Sequence, residues 1–142
     1  MLKIPSITFG DIEIAENTIY TFDKGIPGLL GIHRYTIIES EETDPIRWLQ
    51  ACDKPYISLM MLEPAMIDPD YSIQLTDEQM KQLDNGPVEA VFMYVLVVVP
   101  DNARDMTANM LAPIVLNHQT RKGVQVVVEG SPDLLRVKVF KD

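Results

Sequence analysis

Val88-Glu89-Ala90-Val91-Phe92-Met93-Tyr94-Val95-Leu96-Val97-Val98-Val99 is the most apolar stretch of the chain. Eight of its 12 residues are Val, Tyr or Phe, types that pack well on a pleated surface. A membrane-spanning helix needs about 20 apolar residues. This run is shorter and carries Glu89 near its start. It shows no clean alternation of polar and apolar residues, so it predicts a central strand buried on both faces.

Strong punctuation lies on either side. Asn85-Gly86-Pro87 precedes the run and ends the one helix the sequence predicts. Thr76 and Gln79 have the spacing of a capping box. Asp77 and Glu78 fall in the first turn, where negative charge favours the helix dipole. Met80 and Leu83 supply its apolar stripe. After the run, Pro100-Asp101-Asn102 stops the strand. Residues 107–111 and 114–116 read as strands flanking Pro113, which belongs at an edge, bulge or corner. Residues 124–129 read as another strand. Gly130-Ser131-Pro132-Asp133 then turns the chain into Leu135, Val137 and Val139, which alternate with Arg136 and Lys138 as a half-exposed last strand.

The N-terminal third reads as hairpins. Ile7 and Phe9 precede Gly10-Asp11, and Ile12 and Ile14 follow, the pattern of a tight primed turn. Residues 19–22, 34–39, 45–50 and 56–62 are further strands, and 71–75 is short and extended. Ile46, Trp48 and Gln50 share one face of their strand. Trp48, the only tryptophan, reads as a core or barrel-plug residue, with an interface anchor as the alternative. The sum is about nine or ten strands and one short helix, an all-β, mainly antiparallel chain forming a small, partly closed β-barrel-like domain. The 142 residues suit a single domain over 1–142.

Charge excludes several classes of function. Twelve Lys and Arg stand against 21 Asp and Glu, a net charge of −9. A nucleic-acid binder needs a basic footprint, and an anionic membrane surface attracts basic segments, so neither partner is expected. Residues 39–84 hold 11 carboxylates against three cations and so carry eight of the nine excess charges. That asymmetry suits steering toward a basic protein, or a solvated side of the barrel. Cys52 is the only cysteine, which excludes an internal disulfide and fits a reducing cytosol. The first residues show no secretory signal pattern.

Catalytic chemistry finds little support. Neither His33 nor His118 belongs to a metal-spaced pair, and one cysteine cannot form C-x-x-C. Cys52 reads as a small core residue rather than a nucleophile. No G-x-S-x-G elbow is present. The glycines at 25, 28 and 31 lack a phosphate-loop pattern. Asp68-Pro69-Asp70 lacks the glycine and terminal Glu of a calcium loop. Glu41 and Glu42 lie in an acidic turn, Glu39-Ser40-Glu41-Glu42-Thr43-Asp44, that reads as a solvated face rather than an acid/base pair. The expectation is no enzyme, no cofactor and no metal.

Three segments together resemble the FliW family of flagellar assembly factors. Phe22-Asp23-Lys24-Gly25-Ile26-Pro27-Gly28 is similar to F-x-x-G-[IL]-P-G. Pro45-Ile46-Arg47-Trp48-Leu49-Gln50-Ala51-Cys52-Asp53 is similar to P-[FI]-x-x-L-Q-S. Thr107-Ala108-Asn109-Met110-Leu111-Ala112-Pro113-Ile114-Val115-Leu116-Asn117, followed by Thr120-Arg121-Lys122-Gly123-Val124-Gln125, resembles T-x-N-L-x-A-P-[IL]-[VL]-[IV]-N and is the most specific of the three. Two departures are Leu29-Leu30-Gly31 in place of Phe-Glu, and Met110 in place of Leu.

The resemblance implies a non-enzymatic, cytoplasmic partner-switching regulator. Such a protein binds flagellin. When flagellin is drained by secretion, it binds the RNA-binding translational repressor CsrA allosterically and relieves repression of flagellin mRNA. A dedicated flagellin export chaperone that does not bind CsrA is the alternative. Among the matched residues, Gly25, Gly28, Pro27 and Pro113 are explained by backbone shape, and Ala112, Ile114 and Leu116 by the core. The polar Gln50, Asp53, Asn109, Asn117 and Arg121 are the candidate contacts, although Asn also serves turns. Glu41, Glu42 and Asp44 are the electrostatic candidates for meeting a basic repressor.

Overall fold

The computed structural model describes residues 1–29 and 31–140, so Leu30 of the divergent loop lies outside the described residues. Frequent glycine and proline keep the strands short. They are β1 (Leu2–Ile4), β2 (Ile12–Ile14), β3 (Ile19–Thr21), β4 (Arg34–Glu39), β5 (Arg47–Ala51), β6 (Ser58–Leu62), β7 (Val91–Val98), β8 (Thr107–Ala108), β9 (Ile114–Asn117), β10 (Lys122–Gln125) and β11 (Val137–Lys138). Seven of them form a ring in the order β7-β6-β5-β4-β3-β10-β9, closed because β9 also pairs with β7. The expected partly closed barrel is therefore a closed one. Every pairing is antiparallel except β3 with β10, which meet in parallel at Thr21 and Lys122.

Period-two alternation divides each wall strand between two environments. Inward side chains such as Phe22, Tyr35, Leu49, Met61, Ile114 and Leu116 fill the ring. Each such residue contributes about 1.5–3 kcal/mol when fully buried. Phe22 and Tyr35 meet edge to face at 5.3 Å. The outer wall is covered in three places. The β1–β2 hairpin lies over β5, with Phe9 edge-on to Trp48 at 5.3 Å and Ser6 bonded to Gln50. Ile67, Met106, Ala108 and Met110 cover Leu62, Val95 and Val97. The helix α1 (Asp77–Gln82) sets Leu83 against Val115 and Val126.

The helix forms as its sequence predicts. Thr76 Oγ1 accepts from the Gln79 amide at 3.1 Å, and Gln79 Oε1 accepts from the Thr76 amide at 2.9 Å. Such a cap contributes about 1 kcal/mol. Asp84, Asn85 and Gly86 then take positive φ in succession and end the helix.

Several expectations need correction. Residues 88–90 form a 3-10 turn rather than the start of the strand. β7 is not buried on both faces, since Phe92 is 44% and Val98 67% exposed. Its length is divided among β6, β8 and β9, and no partner covers all of it. The N-terminal hairpin pairs Leu2–Ile4, not Ile7 and Phe9, with β2. Pro5 has no amide to donate and Ser6 turns inward to Gln50, so the connection is wide rather than tight. Residues 107–111 yield only a two-residue strand, because Asn109 captures the amides that follow it. Residues 132–136 form a 3-10 turn whose start is capped by Ser131, which shortens the last strand to two residues. Trp48 packs outside the barrel wall under Phe9, so it does not plug the barrel.

Gly123 is required by close approach. A Cβ there lies 2.5 Å from Phe22 Cζ and 2.8 Å from Leu116 Cδ2. Gly123→Val is expected to lower stability by about 2–3 kcal/mol through overpacking. Urea unfolding followed by tryptophan fluorescence checks this, and an unchanged midpoint contradicts the packing described.

Candidate partner-binding surface

The β4–β5 connection carries the densest exposed negative charge of the segment singled out above. Glu39 ends β4, and Glu41, Glu42 and Asp44 follow, all exposed. The turn is held from within. The Thr43 amide donates to Ser40 at 3.2 Å and the Ile46 amide to Thr43 at 2.8 Å. Trp48 Nε1 donates to Thr43 Oγ1 at 3.0 Å, and the Asp44–Pro45 peptide is cis. Arg47 lies opposite Glu39 in the ladder and bridges Glu39 at 2.9 Å and Asp44 at 3.0 Å. One guanidinium therefore offsets two carboxylates, while Glu41 and Glu42 form no ion pair among the described residues. Hydrogen bonding to Asp44 raises the Arg47 pKa further, so this cation is permanent.

The other candidate contacts do not gather around this turn. Asp53 sits past the opposite end of β5 and pairs with Arg34 at 2.8 Å. Arg121, at positive φ, places its guanidinium 5.0 Å from the Tyr20 ring centre and donates to the Tyr20 hydroxyl at 2.8 Å. It is half-buried, as is Asn109. Asn109 Oδ1 accepts from the amides of Leu111 and Ala112, both at 3.1 Å, and so shapes the approach to Pro113. The Asn109 amide donates to Leu96, which the ladders align with Met61, Arg47 and Glu39.

Gln50 and Asn117 point the other way and offer no surface to a partner, because both are fully buried. Gln50 Oε1 accepts from Ser6, and Nε2 donates to the Ala51 and Lys54 carbonyls. Asn117 uses all its bonding capacity. Nδ2 donates to Asn85 at 2.6 Å and Leu83 at 3.3 Å, and Oδ1 accepts from Gln119 at 2.9 Å and Thr120 at 3.1 Å. These two are structural staples, since a buried polar group without partners costs about 1–3 kcal/mol.

Sequence reasoning missed one surface feature. Phe92 is exposed on the ring strand and stacks on His118 at 4.9 Å with planes 8° apart. Read as part of a continuous apolar run, it carried no signal of exposure.

The two histidines and the cysteine have structural settings. His33 Nδ1 donates to the Phe22 carbonyl at 2.8 Å and His118 Nδ1 to Ala90 at 2.9 Å. Cys52 is buried, and burial pushes its thiol up to about 11. Among the described residues no cluster of His, Cys, Asp and Glu is arranged to hold a metal, and no helix is long and apolar enough to cross a membrane.

The family model described as FliW protein matches residues 3–139. The chain belongs to the FliW family. Members of this family are not enzymes. A flagellar assembly factor FliW of Caldanaerobacter subterraneus subsp. tengcongensis is 32% identical over 142 residues, covering 99% of this chain and 95% of the relative. One from Ruminiclostridium cellulolyticum is 38% identical over 129 residues, covering 90% and 87%. The fold is similar to a crystal structure of the flagellar assembly factor FliW, with a TM-score of 0.91, 34% identity and 99% of each chain covered. The FliW signature ending in Asn117 thus maps largely onto turn formation and barrel closure in this chain.

Asn117→Ala is expected to cost about 2–4 kcal/mol, because it strands the Asn85 carbonyl and the Gln119 and Thr120 amides, while the Leu83 carbonyl keeps the Thr120 hydroxyl. Thermal unfolding checks this, and a loss below about 0.5 kcal/mol contradicts the staple. Native Cys52 is expected to react with a thiol reagent at pH 8 far more slowly than in the unfolded chain, because the thiolate is the reactive form. Equal rates contradict its burial.

Proposed function

We propose that this FliW-family protein is a flagellar assembly factor that works by partner exchange in the cytoplasm. It binds flagellin. When flagellin is exported, the freed protein binds the translational repressor CsrA away from its RNA face and lifts repression of flagellin mRNA. Family membership over nearly the whole chain supports the flagellar role. The observation that carries the basic partner is the exposed turn at Glu41 and Glu42, which no cation neutralises among the described residues.

A repressor of RNA must be basic, because it holds phosphates. A protein with a net charge of −9 is steered toward it and repels RNA nearby. No chemistry is needed for the switch. Bound and free fractions shift by mass action as flagellin concentration changes. In this reading Glu41, Glu42 and Asp44 meet CsrA first. Asp53, Asn109 and Arg121 are secondary contacts, each already committed to a bond within the chain.

Glu41→Lys with Glu42→Lys is expected to weaken CsrA binding roughly tenfold or more, with the melting temperature unchanged. Calorimetric titration measures this. Association with CsrA is also expected to slow as salt rises, since exposed charges are screened over about 8–10 Å at 0.1–0.15 M. Unchanged affinity in the variant moves the interface elsewhere. No association of the unmodified protein at micromolar concentration removes CsrA from the reading and leaves a flagellin export chaperone.

A further inference from the structure

β10 does not end cleanly at Gln125. The Val126 amide donates to Pro113 at 3.0 Å and the Val128 amide to Leu111 at 2.9 Å. These continue the register that pairs Gln125 with Ile114. In an antiparallel ladder alternate residues face opposite edges. Val127 and Glu129 therefore turn their peptide groups outward, and among the described residues neither makes a backbone hydrogen bond. β3 covers this edge only as far as Lys122.

Across from that edge runs the extended segment 71–75. Its burial alternates, with Ile73 and Leu75 packed toward Val126 and Ser72 and Gln74 exposed. It has the pattern of a strand without a ladder. Among the described residues, the amides and carbonyls of Ser72, Ile73, Gln74 and Leu75 make no backbone hydrogen bond. Between the two lies an open cleft of about 900 Å³. Its rim carries Asp68, Asp70 and Glu129, and no Lys or Arg lines it.

We propose that this cleft is a strand-addition site for an extended, basic segment of a partner protein, in which Lys or Arg alternates with apolar residues. Unpaired peptide groups on a sheet edge are a template for a further strand. The acidic rim selects the cations of the incoming segment. Its alternate apolar side chains settle on the half-buried Ile73 and Leu75, which themselves cover Val126. This site is separate from the β4–β5 turn and does not depend on the identity of the flagellar partners.

The probe is a capped peptide of about eight residues alternating Val and Lys, enough to match a typical strand, titrated into the full chain by amide NMR. Shifts are expected to concentrate at residues 72–75 and 127–129. Replacing Lys by Glu is expected to weaken binding roughly tenfold. N-methylating alternate amides of the peptide is expected to weaken it roughly tenfold in one phase and little in the other, because only one phase faces the edge. These variants alter the ligand, so the fold of the protein is untouched. Shifts elsewhere, equal effects of both methylation phases, no binding at about 1 mM (the weak limit near 4 kcal/mol), or self-association through residues 127–129 in sedimentation would each overturn the proposal.

Discussion

The pairing of β7 with β9 is the constraint on which the rest of the molecule depends. Val91 to Tyr94 meet Asn117 to Ile114, and this contact turns a sheet into a ring. Closure removes two edges and gives Phe22, Tyr35, Leu49 and Leu116 an enclosed interior to fill. It also brings Asn117 beside the end of α1. There one side chain satisfies the carbonyls of Leu83 and Asn85 and the amides of Gln119 and Thr120. The helix, the closing strand and the β9–β10 turn are tied at a single buried amide.

The proposed contact with CsrA uses what closure leaves outside. The wall is overlaid by the β1–β2 hairpin, by residues around Ile67 and Met106, and by α1. The β4–β5 turn packs Ile46 against the residues around Ile67 and Met106 and keeps the carboxylates of Glu41, Glu42 and Asp44 in water. Arg47 holds Glu39 and Asp44 in place, which fixes the shape of the turn while leaving Glu41 and Glu42 to act at a distance. Exposed, unpaired charge is what steering toward a basic partner uses.

Much of the fold was legible in the sequence because its cues are local. The capping box at Thr76 and Gln79 and the stop at Asn85-Gly86 depend on neighbours a few residues away. Core positions such as Ile114 and Leu116 followed from their apolar pattern. The β7–β9 and β3–β10 pairings join residues far apart in the chain, and no local pattern encodes them. The same limit explains the candidate site. Gln50 and Asn117 are polar in sequence whether they face a partner or a buried carbonyl. Only tertiary structure separates them from Glu41 and Glu42. Phe92 shows the converse, an apolar residue exposed because its ladder partners leave it at the edge of the packed region.

Amide hydrogen exchange of this protein with and without CsrA tests the central claim most directly. The account predicts new protection in the turn spanning residues 39–46, with the amides around Cys52 and Asp53 at the far end of β5 little changed. Protection confined to that far end, with the acidic turn exchanging as freely as in the isolated protein, would contradict it.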